Sequence, residues 1–247
     1  MSTLGDYLIS RGFDVDDTPV LGRTATWDRV RYVTVHHFVG SETVAAIPAQ
    51  VDFLKHGKEW PPNSQLYLDI EGTVHVITRQ RPGQHEPGRA THMGAGTYPG
   101  IPRDRGNEMA LGIECQNTGY HPIADNQHQY GTLIRLCAAL VDRYQLTPEH
   151  VIGHKEYNPG KVDPRDNMDT IRRDVRRAWS EPSPPPTTEP DVTPADVWNH
   201  PLEIPEDARR DGDPTHVPAE VMLGWANRHA LAALEEVRRL RDQLGLE

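Results

Sequence analysis

Cysteine is scarce in this chain: two in 247 residues, Cys115 and Cys137. Two thiols cannot build a disulfide framework. Neither lies in a Cys-x-x-Cys pair, so a four-cysteine structural zinc site is excluded and both read as buried free thiols. Long apolar runs are missing too. No stretch of about 18 apolar residues occurs, so no membrane-spanning helix is expected. The opening Met1-Ser2-Thr3-Leu4-Gly5-Asp6 lacks a basic start followed by an apolar core. No secretory signal is therefore expected, and an extracytoplasmic substrate would be reached by another export route or by lysis. Basic charge is in deficit, with 26 Lys+Arg against 36 Asp+Glu and a net charge of −10, which argues against a nucleic-acid footprint.

What is present is unevenly spread. Residues 181–247 carry 6 Lys+Arg and 14 Asp+Glu, a net −8, while the first 180 carry 20 and 22 and are nearly neutral. Between them lies Ser180-Glu181-Pro182-Ser183-Pro184-Pro185-Pro186-Thr187-Thr188-Glu189-Pro190, whose five prolines favour an extended linker. The expected organisation is a catalytic domain over 1–179, a Pro-rich linker over 180–194 and an acidic tail over 195–247. In the tail, Leu223, Ala226, Ala230, Ala233, Val237, Leu240 and Leu244 step alternately by three and four. That spacing predicts a heptad helix over about 218–245. Packing back on the domain, self-association and wall contact are all open to it.

Within the first domain, patterning predicts a helix from Leu4 to Arg11 and a strand from Arg31 to Phe38. Leu66–Ile70 and Val74–Thr78 read as a hairpin about Glu71-Gly72-Thr73. A strand over Met109–Gln116, a helix over Asn126–Tyr144 and a closing helix over Asp169–Trp179 follow. Strands and helices alternate, so the fold expected is α/β (α+β): a single mixed β-sheet flanked by helices, followed by the linker and a helical tail.

Two separated pieces carry the chemistry. Val33-Thr34-Val35-His36-His37 puts imidazoles at the end of an apolar β-branched run. Successive strand residues face opposite ways, so only one histidine reaches a given site. His36 shares its face with Tyr32 and Thr34, and is the better ligand candidate; His37 is then a packed or supporting residue. The second piece runs from Gly153-His154-Lys155-Glu156 through Asn158-Pro159-Gly160 to Lys161-Val162-Asp163-Pro164. Its central turn can fold Asp163 back beside His154. Two neutral imidazoles and one carboxylate can hold zinc with a fourth position open to water. A cation so held lowers the pKa of that water from ~15.7 toward ~7. Lys161 is a candidate oxyanion donor. Glu114, a carboxylate inside the apolar strand Leu111-Gly112-Ile113-Glu114-Cys115, should have a raised pKa suited to general acid–base work. The plain alternatives are a solvated Lys161, a Glu114 in a buried ion pair, and a His154 and Asp163 lying in an ordinary polar loop.

Five stretches in order resemble the type 2 N-acetylmuramoyl-L-alanine amidases, a family of zinc amidases that also includes peptidoglycan-recognition proteins. They are Val33–His37, Gln65–Val74, Gly88–Gly96, Leu111–Gly119 and His154–Pro164, and the likeness covers about residues 3–179. It is greatest to endolysins of phages that infect actinobacteria. The resemblance implies cleavage between N-acetylmuramic acid and the first L-alanine of the stem peptide. It implies His36, His154 and Asp163 as Zn2+ ligands, Glu114 and Lys161 as catalytic, and His92 and Asn117 as lining the substrate groove. It also implies a protein made in the host cytoplasm that acts on the wall after holin-type release, with no nucleic-acid partner and no membrane insertion. Asp163 stands where many relatives have cysteine. Where some relatives carry a catalytic tyrosine this chain has Asn63-Ser64-Gln65, and Tyr67 looks out of phase. Two other readings stay open: a recognition module that binds peptidoglycan without cutting it, and a metallohydrolase for a different amide.

Overall fold

The computed structural model describes residues 2–22, 29–57, 60–80 and 86–180. The linker beyond Ser180, the acidic tail and its heptad helix lie outside the described residues, and so does any contact made through them. Among the described residues no helix is long and apolar enough to cross a membrane.

In chain order the strands are β1 (Val15–Asp16), β2 (Val20–Leu21), β3 (Tyr32–Val39), β4 (Leu66–Leu68), β5 (Val74–Val76), β6 (Thr78–Arg79), β7 (Ala110–Asn117) and β8 (Val151–Gly153). The helices are α1 (Leu4–Ser10), α2 (Ile47–His56), α3 (Gly106–Met109), α4 (Gln127–Arg143), α5 (His154–Tyr157) and α6 (Met168–Ser180). Side-chain caps mark where α1 and α4 begin. Thr3 and Asp6 form a reciprocal capping box at α1. The Asn126 side chain accepts the His128 and Gln129 amides, so Asn126 is the cap of α4 rather than its first turn.

Six strands form one mixed sheet in the order β1-β5-β4-β7-β3-β8, and β2 pairs with β6 apart from it. Among the described strands of this sheet, only the β4–β5 pair is antiparallel. The turn between them is longer than the sequence pattern predicts. Asp69 Oδ1 accepts the amides of Glu71 and Thr73, both at 2.9 Å. Gly72 takes a positive φ of 83°, which a side chain would strain. Ile70 thus belongs to the turn. The run expected through Thr78 breaks after Val76, because Thr78 and Arg79 pair with β2 instead.

The central strands β3 and β7 are buried on both faces, as parallel interior strands usually are. One face carries Val33, Val35, Leu66, Leu68, Leu111, Ile113 and Cys115, packed with Leu8 of α1, Leu133, Leu136 and Leu140 of α4, and Ile171 and Val175 of α6. Each such leucine or isoleucine contributes roughly 1.5–3 kcal/mol by leaving water. Cys137 sits in the same cluster, and both cysteines are buried and free.

The other face is covered in two patches. Tyr32, Ala110 and Ile152 pack with Met93, Ile101 and Tyr157. Tyr67 and Ile77 pack with Ile47, Val51 and Leu54 of the α2 region, which the sequence reading had not picked out as a helix; Phe38 leans on this patch. Along β3 this face therefore runs Tyr32, Thr34, His36, Phe38, from one apolar patch to the other. The polar residues stand between them.

Candidate metal centre

Strand register brings the chemistry together. His36 lies opposite Glu114, and Glu114 lies opposite Tyr67. Facing residues in a parallel pair point to the same side, so all three share the face between the apolar patches. Val35 pairs with Gly153, the last residue of β8. His154 follows at once as the first residue of α5, next to His36, and the two rings meet edge to face with centroids 4.4 Å apart.

The loop after α5 returns Asp163 to the same point. Asn158 Oδ1 accepts the Gly160 amide at 2.9 Å, and Lys161 N–H donates to the Asn158 carbonyl at 2.9 Å. Lys155 N–H then donates to the Asp163 carbonyl at 2.8 Å. Further on, Lys155 Nζ donates to the Asp166 carbonyl, and Asp166 accepts the Ile123 and Ala124 amides. His37, on the opposite face, accepts the Arg165 amide at 3.4 Å and lies 3.8 Å from Asp166 Oδ2. It supports the loop and stands apart from the cluster.

Three ligand atoms converge. Asp163 Oδ2 is 3.1 Å from His154 Nδ1 and 3.4 Å from His36 Nδ1, and the three atoms lie within 4.8 Å of one another. The outward nitrogens decide what these atoms are. His154 Nε2 donates to the Met93 carbonyl at 3.0 Å. His92 Nε2 faces the Ala110 carbonyl at 3.0 Å and must donate, so His92 Nδ1 accepts. His36 Nε2, 2.9 Å away, is then the donor to it. Each neutral ring has spent its one N–H on the outside and turns a lone pair inward. Burial holds His36 neutral, pushing its pKa down to about 4 against the pull of Asp163. Two imidazole lone pairs and a carboxylate oxygen with no hydrogen among them repel one another unless a cation sits there. The donor set, two nitrogens and one oxygen, fits zinc.

Glu114 borders the cluster, with Oε1 at 3.9 Å from His36 Nδ1 and 14% of its side chain exposed. Burial and then the nearby Asp163 charge push its pKa up to about 8, with Lys161 opposing. Asp163 responds the other way. Burial would raise its carboxyl, but the two imidazoles beside it, His154 at 3.1 Å and His36 at 3.4 Å, outweigh that and hold it far below the usual range. Lys161 is exposed, and its charge bears on both His36 and Glu114.

Three further residues named from the sequence are buried. His92 is 8% exposed, and both ring nitrogens are engaged by His36 and Ala110. It packs over Gly112, where a Cβ would come within 2.7 Å of its Nδ1. Asn117 is 1% exposed, and its Oδ1 takes the Gly119 amide, so its side chain is turned into the protein. Tyr67 is in phase with Glu114 after all, but its hydroxyl donates to Gln50 Oε1 beneath α2. The sequence reading also missed Asn107, whose Oδ1 accepts the amides of His92 and Met93 at 2.8 and 2.9 Å. A lone asparagine and a backbone carbonyl carry no motif that would have marked them.

Comparison with known proteins bears on the same region. The profile for N-acetylmuramoyl-L-alanine amidase matches residues 26–166, which contain the whole cluster. The chain is 34% identical over 85 residues to the 1,6-anhydro-N-acetylmuramyl-L-alanine amidase AmpD of Enterobacter cloacae, covering 34% of this chain and 43% of that protein. It is 31% identical over 86 residues to AmpD of Haemophilus influenzae, covering 34% and 45%. The chain thus spans less than half the length of these curated relatives. Among solved structures, the Escherichia coli N-acetylmuramyl-L-alanine amidase AmiD, in complex with anhydro-N-acetylmuramic acid-L-Ala-D-gamma-Glu-L-Lys, aligns with a TM-score of 0.46 at 18% identity, over 61% of this chain and 59% of that one. Staphylococcus aureus AmiA aligns with a TM-score of 0.49 at 12% identity, over 72% and 91%. With the profile spanning more than half of its residues, the chain belongs to the N-acetylmuramoyl-L-alanine amidase family.

Proposed function

We propose that this protein is a zinc-dependent hydrolase that cuts the amide bond between N-acetylmuramic acid and L-alanine in peptidoglycan. The observation that carries this reading is the convergence of three inward lone pairs, from His36, His154 and Asp163, beside a carboxyl whose pKa is raised to about 8. Family membership supplies the bond. The resemblance of five stretches to actinophage endolysins supports a role in host lysis, with the protein made in the host cytoplasm and acting on the wall after release.

His36, His154 and Asp163 would hold the zinc ion, which when bound would acidify a water molecule and polarise a carbonyl oxygen. The chain's own residues do the rest. His36 and His154 bind as neutral donors, and Asp163 cancels one unit of the cation's charge. With its pKa raised to about 8, Glu114 exchanges a proton near neutral pH: ionised, it accepts one from the attacking water, and the acid so formed returns it to the departing alanine nitrogen. The Lys161 ammonium donates to the developing oxyanion, an interaction worth roughly 3 kcal/mol when well placed.

Digestion of purified actinobacterial peptidoglycan by the full chain tests the reading. New N-terminal alanine is expected, suppressed by a chelator and restored by zinc. Binding to walls without new alanine would favour the recognition-module reading. Undiminished release after chelation would remove the metal from the reaction.

A further inference from the structure

One short segment, Asn107–Ala110, touches the supports of both imidazoles. Asn107 Oδ1 accepts the backbone amides of His92 and Met93 together. The Met93 carbonyl takes the His154 Nε2 proton, and the His92 ring takes the His36 Nε2 proton. The far side of the His92 ring is anchored on the Ala110 carbonyl, three residues after Asn107. At the head of the segment, Gly106 N–H donates to the hydroxyl of Tyr157, the last residue of the α5 turn that His154 opens. A Cβ at Gly106 would come within 2.9 Å of both Met93 and Tyr157, so the packing there is close.

We infer that Asn107 is a positioning residue for the metal centre, acting on both histidines through a single acceptor oxygen. Removing that oxygen frees the His92 and Met93 amides. The two groups that hold His36 and His154 with Nδ1 facing inward then lose their common anchor. Neither imidazole is touched by Asn107 directly. The role requires only an acceptor oxygen, so aspartate, which keeps that oxygen and the shape, should replace it. Alanine should not. The inference rests on the zinc reading above.

Zinc affinity of the full chain, measured by competition with a chromophoric chelator, tests it, together with the visible spectrum of the Co2+ form. Asn107→Ala is expected to bind zinc about 10- to 100-fold more weakly, the range typical of lost outer hydrogen-bond partners, with altered Co2+ bands. Asn107→Asp is expected to restore both affinity and spectrum. Wild-type affinity and bands in Asn107→Ala would overturn the inference, as would an equal loss in Asn107→Asp. If Asn107→Ala does not fold, His92→Phe decides, since it fills the same space but leaves His36 Nε2 without an acceptor. The same weakening is expected there, and unchanged affinity overturns the inference. Failure of the unsubstituted chain to bind zinc would overturn the metal reading and this inference with it.

Discussion

At the scale of single residues, the site is a contrast between two carboxylates that both border His36 Nδ1. Asp163 sits against the two inward imidazole nitrogens, and its carboxyl is held far below the usual range. Glu114 is buried beside that negative charge and is pushed up to about 8. One is thereby suited to bind a cation and the other to carry a proton, which is the division of labour that separated pKa values permit. Replacing Glu114 by glutamine keeps the shape and removes the titration. Glu114→Gln is expected to bind zinc as the unsubstituted chain does while turnover on wall fragments falls by about 10²-fold or more. Metal analysis and rates on the same preparation check both halves, and unchanged turnover would take Glu114 out of the mechanism.

At the scale of elements, the strands do more than carry residues. The row His36, Glu114, Tyr67 continues to His75 on β5, which faces Tyr67. His75 is clamped between Asp16 of β1 and Asp69 of the β4–β5 turn, each at 3.0 Å. Burial pushes its pKa down, but hydrogen bonds to the two carboxylates outweigh it and the net shift is upward. A raised folded-state pKa has a definite sign. The stabilisation is fully present below the unfolded value of ~6.5 and fades as pH rises through the folded one. Asp16, whose pKa is lowered, contributes in the opposite sense, and its share is lost in acid. His75→Gln is expected to destabilise the fold by about 2 kcal/mol near pH 6, a cost that narrows by pH 9. Unfolding midpoints across that range should converge; parallel curves would contradict the clamp.

The same elements show what a sequence discloses. Alternation along β3 was enough to turn His36 rather than His37 toward the site, because the face of a strand residue is a local property. The paired loop residues His154 and Asp163 were legible because a turn of Asn158-Pro159-Gly160 has few ways to go. The phase of Tyr67 was not legible: it depends on the register between β4 and β7, whose facing residues Leu66 and Ile113 are 47 positions apart, and no local pattern encodes that pairing. His92 carried a histidine's usual signal, yet its partners, the Ala110 carbonyl and His36, are set by tertiary packing over Gly112. Helix α2 was missed because Ile47-Pro48-Ala49-Gln50 opens on a proline, which suits a first turn but also reads as a break.

At the scale of the whole described domain, a sheet sealed on one face by α1, α4 and α6 leaves its other face to build the site. Two apolar patches cover the ends of that face, and the polar row stands between them toward the carboxyl ends of β3 and β7, where α/β sheets generally hold ligands. The buried face contributes the rigidity, and the loops from β8 to α6 contribute the third ligand. All of this serves one arrangement: three lone pairs aimed at a common point by hydrogen bonds that leave no proton between them. Zinc analysis of the purified full chain, beside His154→Ala, tests that arrangement most directly. About one zinc ion per chain is expected at neutral pH, with none retained by the variant. A chain that takes up no zinc, or a His154→Ala variant that holds it as tightly as before, would contradict it.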